Sequence, residues 1–224
     1  MLAALLYCLS VIAEDKSNPY GIFIGDVEAK WLDENGDDRR MEMLHDFSYV
    51  DTTGKKWTTP KGWVVDGASI PRLLWTLVGS PFTGGYRRAS VVHDYYCDTK
   101  TESWQAVHKM FYWASLAGGV GLAEAKILYA GVYAGGPRWK NVHYSNHPPR
   151  IIAEPGDFDS IEVVPWTPSI PDNKLEDIKI WIQKENPTIE EIEKRTSEYI
   201  SQAEPKDYVR IPKNTGTKGV LPPF

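Results

Sequence analysis

The stretch WTTPKGWVVDGASIPRLLWTLVG, Trp57–Gly79, decides the fold because the hydrophobic period changes within it. As far as Asp66 the pattern is that of short strands, in which the side-chain period is two residues. From Pro71 onward the apolar spacing is nearer four residues. A proline is well tolerated in the first turn of a helix, because the N–H that it lacks has no helical partner there. The sequence therefore predicts a change from strands to helices at this point.

The residues before this change predict a small antiparallel β-meander from Tyr20 to Val65. The segments VEAKWL and MEMLHDFSYV are separated by Glu34-Asn35-Gly36-Asp37, and Asn-Gly between apolar runs is a strong hairpin signal. A second turn, DTTGKK from Asp51, is followed by a strand through Trp57 that Pro60 interrupts.

The residues after the change predict a three- to four-helix unit. We expect a short helix over residues 71–79 and longer ones from Arg87 to Cys97, Ser103 to Leu116 and Leu122 to Ala134. The last of these is apolar nearly all round, which indicates a buried helix. The predicted fold class is α+β, with the meander packed on the helices.

Composition divides the chain into three parts. Residues 1–19 form an apolar segment that resembles either the hydrophobic region of a secretory signal or a packing element of a cytoplasmic protein, and both compartments stay open. This segment is too short for a membrane span. Residues 20–150 form the predicted core domain. Residues 151–224 form a proline- and acid-rich tail whose charged helices, from Leu175 to Ser201, carry one apolar face for the core or for a protein partner.

The overall charge and the cysteine count exclude some classes of function. The 224 residues carry a net charge of −5, which gives no basic field and argues against nucleic-acid binding. The two cysteines, Cys8 and Cys97, are too few for a disulfide framework or a cysteine-based zinc site. We expect Cys97 to act as a small buried hydrophobic residue.

The segment ASVVHDYYCD, Ala89–Asp98, carries most of the chemistry, because His93 and Asp94 lie within an apolar helical run. Residues three and four apart share a helix face, so His93 and His108 each lie on the apolar face of one of two consecutive helices. If these faces meet, two imidazoles and an adjacent carboxylate can hold a metal or act as an acid–base pair.

We therefore predict a hydrolase that activates water with His93. Asp94 is the predicted metal ligand, and His108 and Asp66 complete the site, the latter from the end of a strand. The predicted cofactor is a divalent ion, calcium or zinc. The substrate, a lipid or a phosphoester, stays open.

The alternative is a non-catalytic phage or cell-envelope interaction protein. In that case His108 is an ordinary buried histidine, and Asp94 is neutralised by a structural salt bridge to Arg87 or Arg88 one turn earlier.

The sequence also resembles a known family. The segments VVDGASIPRLLW, YRRASVVHDYYC, VHKMFYWA and AKILYAGVYAGGPRW resemble, in this order, the bacterial and phage family filed as domain of unknown function 1353, over about Trp57 to Trp139. The resemblance implies a phage or prophage origin but no activity. It assigns the family's signature positions to Asp66, Ser69, Pro71, His93, Asp94 and Trp139.

A more distant similarity is to phospholipase A2, in which a helix carries His-Asp after a glycine-bearing loop. It implies that His93 is the base, that Asp94 helps to hold calcium, and that residues 80–85 form the loop. The chain departs from that pattern because His108 stands where a carboxylate is expected and the usual disulfides are absent.

Overall fold

The structure is a computed structural model, and it describes residues 18–32, 40–66, 84–145, 160–200 and 208–210. The described helices are α1 (Arg87–Thr99), α2 (Trp104–Ala117), α3 (Leu122–Gly135), α4 (Asp172–Glu185) and α5 (Ile189–Ser197). The described strands are β1 (Ile22–Ile24), β2 (Ala29–Trp31), β3 (Met41–Met43), β4 (Phe47–Val50), β5 (Lys56–Thr59), β6 (Val64–Val65), β7 (Arg138–Ser145), β8 (Ser160–Trp166) and β9 (Tyr208–Arg210). Spatial contacts divide the chain into two units, residues 1–138 with 167–202, and residues 139–166 with 203–224.

Two small antiparallel sheets lie in the first unit, with the strand orders β1-β4-β5 and β2-β3-β6. In the first sheet Tyr49 lies between Phe23 and Trp57, and all three rings are buried. Such cross-strand aromatic pairs are a main source of sheet stability. Helix α1 packs on both sheets, so the predicted α+β class, with antiparallel strands packed on helices, is confirmed, and the strands form two small sheets.

The hairpin predicted at Asn35-Gly36 is confirmed, since β2 and β3 pair antiparallel with Trp31 opposite Met41. The turn itself lies outside the described residues. The predicted strand MEMLHDFSYV consists of two strands, β3 and β4, that belong to different sheets. The chain bends between them, where the carboxylate of Asp46 accepts a hydrogen bond from the N–H of Lys61 at 2.8 Å.

The helices α1, α2 and α3 begin and end close to their predicted limits. Helix α1 runs two residues further than predicted and ends before Lys100, whose φ of 53° breaks the helical backbone. Ser103 is the N-cap of α2 and accepts a hydrogen bond from the N–H of Ala106 at 3.3 Å. Helix α3 is buried nearly all round, as its composition predicted. The helix predicted over residues 71–79 lies outside the described residues.

The tail helices α4 and α5 pack on α3, within the first unit. Their shared apolar face is buried through Ile178, Ile182 and Ile192. At the edge of this contact, Lys126 donates to the Asn186 side chain at 2.6 Å. A protein partner for the tail and the boundary at residue 150 both stay predictions.

The second unit contains the strands β7, β8 and β9, with β7 in the middle of the sheet. Strand β9 runs parallel to β7, and His143 lies opposite Tyr208. In neither unit does a described helix have the length and hydrophobicity that a membrane span requires.

Candidate functional site

Two imidazoles and one thiol meet where α1 packs on α2. The Nε2 atom of His93 lies 2.9 Å from Nδ1 of His108, and Sγ of Cys97 lies 3.6 Å from His93 Nε2. All three side chains are buried, and their nitrogen and sulfur atoms lie within 4.8 Å of one another. The meeting of the two histidines, which the helix faces predicted, is confirmed. Cys97 is buried as expected, and it also adds a third group to this cluster.

Helix geometry and close packing fix the three groups. His93 and Cys97 are four residues apart, so they project from consecutive turns of α1 toward α2. The ring of Phe111 lies 4.8 Å from the His93 ring, and that of Trp104 lies 5.6 Å from the His108 ring. A Cβ atom at Gly136 would lie 2.3 Å from the carbonyl oxygen of Val132 and 3.1 Å from Nε2 of His108, so the end of α3 and the His108 ring together leave no room for a side chain at that position.

Both histidines of the cluster are neutral at physiological pH. Burial lowers the pKa of His93 to about 3. Burial also lowers the pKa of His108 well below its usual value, and the nearby His93 and the positive charge of Arg138 lower it further. The carbonyl of Pro137 acts in the opposite direction, because it favours a proton on His108. No described group meets the full geometry of a hydrogen bond to His108 Nε2, so the Pro137 carbonyl is a near neighbour rather than an ideal acceptor.

Asp94 lies on a neighbouring face of α1 and meets the end of β6. Its side chain is only 2% exposed, and its Oδ2 atom accepts a hydrogen bond from the backbone N–H of Asp66 at 2.9 Å. The structure thus brings together the strand end and the helix carboxylate that the sequence singled out. The described contact of Asp66 with Asp94 is made through its main chain rather than its carboxylate.

The arginines one turn before Asp94 are engaged elsewhere. Arg87 is exposed, and Arg88 donates to the carbonyl of Gly25 at 3.3 Å and lies 4.2 Å from the centre of the Phe23 ring. Asp94 has at least one further interaction besides the hydrogen bond from Asp66. The described contacts of Arg88 are thus with β1 and the residue that follows it, and the structural alternative stays a prediction.

Asp98 is a candidate site residue that the sequence reasoning did not select. It follows Asp94 by one helical turn and is exposed near the end of α1. Partial burial and the nearby carboxylates of Asp94 and Asp66 raise its pKa to about 6, although Lys100 and the indole of Trp63 oppose the rise. The four-residue spacing from Asp94 is the signal that identifies it.

Other residues considered from the sequence lie apart from this site or outside the described structure. His45 is exposed in the bend between β3 and β4, and its Nε2 atom lies 3.5 Å from the carboxylate of Glu28. Ser69 and Pro71 lie outside the described residues, as does most of the 80–85 loop. Trp139 is buried but belongs to the second unit.

Comparison with known proteins finds a similarity over the segment that contains this site. Residues 41–132 match the family model described as Protein of unknown function (DUF1353). Over these residues the chain is similar to that family. The DUF1353 segment begins before the predicted limit of about Trp57 and contains the whole cluster described above, from Asp66 to His108.

Two curated relatives match part of the chain, and both come from Sinorhizobium fredii. The uncharacterized protein y4iH is 47% identical over 108 residues, which are 48% of this chain and 45% of that protein. The uncharacterized protein y4jT is 46% identical over 98 residues, which are 44% of this chain and 29% of that protein. The match therefore spans less than half the length of either relative. No solved structure matches the chain.

Proposed function

We propose that this chain is a small hydrolase that activates water at the carboxylate face of α1. The observation that carries this proposal is the buried carboxylate of Asp94, held by the N–H of Asp66 at 2.9 Å. Removing a carboxylate from water is unfavourable by several kcal/mol, and such groups concentrate at sites of chemistry. Asp98 extends this carboxylate face to solvent.

The roles of the residues follow from their exposure. Asp98 lies at the surface and can exchange protons with water, whereas Asp94 is held in a fixed position beneath it. Carboxylate oxygens also suit a hard divalent ion such as calcium, so Asp94 as a metal ligand stays part of the proposal. The proposed substrate is a lipid or a phosphoester, and the choice between these two classes stays open.

His93 has a different position from that of an exposed general base. Its ring is neutral, as a general base requires, but it is 0% exposed and bonded to His108. We therefore assign the exchange of protons with solvent to Asp98. His93 keeps the predicted role of a base only if water reaches it during turnover.

The enclosure of His93 also favours a second candidate, a non-catalytic interaction protein. In that case the bond between His93 and His108 only stabilises the contact of α1 with α2. The two candidates differ in what removal of the Asp94 charge does. An enzyme loses turnover and keeps its fold, whereas a structural carboxylate supports the fold itself.

The test is hydrolysis by the purified full chain of chromogenic phosphoesters, carboxyl esters and phospholipid vesicles, with and without added calcium. We expect wild type to hydrolyse one class, and Asp94→Asn and Asp98→Asn to lower its rate by about 100-fold or more. The matched control is Asp177→Asn, which removes an exposed carboxylate from α4 and should leave the rate unchanged. Absence of turnover in the whole panel, or full activity of both site variants, would reject the hydrolase.

A further inference from the structure

We propose that His93, Cys97 and His108 bind one transition-metal ion of the zinc type in the core of the first unit. This site is separate from the carboxylate face of α1, and the inference does not depend on the proposed hydrolysis. It rests on ligand atoms at suitable spacing and of suitable chemistry.

Two of the three ligand spacings are close to those of a tetrahedral site, and the third, from Cys97 Sγ to the His108 nitrogen, lies within 4.8 Å and closes by rotation of the side chains. Bonds of about 2.05 Å from zinc to nitrogen and 2.3 Å to sulfur place two nitrogens about 3.3 Å apart, and a nitrogen and a sulfur about 3.6 Å apart. The distance from Cys97 Sγ to His93 Nε2 is 3.6 Å, which already fits. The two ring nitrogens are 2.9 Å apart, so they must separate by about 0.4 Å, which small side-chain rotations provide.

The chemistry of the donors selects the ion. Imidazole nitrogen and thiolate sulfur suit zinc, cobalt and copper, whereas calcium and magnesium take oxygen ligands. The cluster therefore favours a different ion from the calcium that the carboxylate of Asp94 would suit. Three protein ligands leave the fourth position of a tetrahedral ion for water or another group.

The hydrogen bond between the two rings must be exchanged for bonds to the metal. At 2.9 Å, one of the two atoms His93 Nε2 and His108 Nδ1 carries a proton that the other accepts. On binding, that proton moves to the other nitrogen of the same ring, so both facing nitrogens can bind the ion. The thiol proton of Cys97 is released to solvent.

Cobalt(II) titration of the untagged, metal-free full chain tests this site directly. We expect one cobalt per chain, with a sulfur-to-cobalt charge-transfer band in the near ultraviolet and the visible bands of a tetrahedral ion. Addition of zinc should remove all of these bands. Cys97→Ala should remove the charge-transfer band. His108→Ala should weaken cobalt binding by more than about 100-fold, because loss of a residue that only contacts a ligand already weakens metal binding 10- to 100-fold.

The controls keep the outcome decisive. Cys8→Ser removes the other cysteine, and His45→Ala removes an exposed histidine, and both should bind cobalt as wild type does. If Cys97→Ala does not fold by circular dichroism, Cys97→Ser keeps the size of the side chain and should lack the charge-transfer band. A band that survives both changes at Cys97, or no band in wild type, overturns the site. An absorption readout is independent of any hydrolytic activity.

Discussion

The packing of α4 on α3 gives a quantitative prediction for Ile182. Its side chain is 0% exposed, whereas Ile180 on the same helix is 54% exposed. Ile182→Ala removes three carbon atoms, and at about 0.8 kcal/mol for each the lost burial amounts to about 2.4 kcal/mol. The cavity that remains adds to this, so we expect a total destabilisation of about 3–4 kcal/mol. Ile180→Ala removes exposed carbons and introduces a better helix former, so its effect should stay within about 0.5 kcal/mol.

The assay is urea-induced unfolding of the full chain, followed by tryptophan fluorescence and circular dichroism. Ile182→Ala should lower the unfolding midpoint in a single transition, and Ile180→Ala should leave it unchanged. Equal midpoints for Ile182→Ala and wild type would refute the docking of the tail helices on α3. A separate early transition for α4 and α5 would refute their cooperative folding with the first unit.

Two further predictions concern the surroundings of the site and the acid limit of stability. Gly136→Ala would place a Cβ atom 3.1 Å from Nε2 of His108 and against the backbone of α3, so thermal unfolding should show a loss of about 1–3 kcal/mol. Gly121→Ala meets open space and should cost less than half as much. Partial burial would raise the pKa of Asp51, but hydrogen bonds, led by that from the Thr53 hydroxyl, outweigh it and lower the pKa. Because the folded pKa lies below the unfolded value of about 3.9, this stabilisation is present above that pH and is lost as the pH falls through the folded pKa. The free energy of unfolding should therefore decline less steeply with acid in Asp51→Ala than in wild type.

Local sequence patterns predicted the elements of the fold well. The change of hydrophobic period after Asp66 and the N-cap at Ser103 depend only on residues that are close together in the sequence. The strands before Asp66 and the start of α2 agree with these local patterns. The separation of β3 and β4 into two sheets could not be predicted in this way. It depends on the contact of Asp46 with Lys61, fifteen positions along the chain.

The site was predictable to the extent that it follows from helix faces. His93 and His108 meet because each lies on the apolar face of one of two packed helices. The inclusion of Cys97 depends on the rotation of α1 against α2, and the bond from the Asp66 N–H to Asp94 depends on how β6 approaches the helix. Both are set by tertiary packing, which the periodicity of one element does not specify.

The free energy of unfolding of Asp94→Asn, measured beside its rate on the best substrate, tests the central claim most directly. Asn keeps the shape of the side chain and an oxygen that can accept the N–H of Asp66, while the charge is lost and the second oxygen is replaced by an amide donor. If this carboxylate serves chemistry, stability should change by less than about 1 kcal/mol while the rate falls by about 100-fold or more. A loss of about 3–5 kcal/mol, the usual effect of breaking a buried ion pair, would contradict the account and make Asp94 a structural residue.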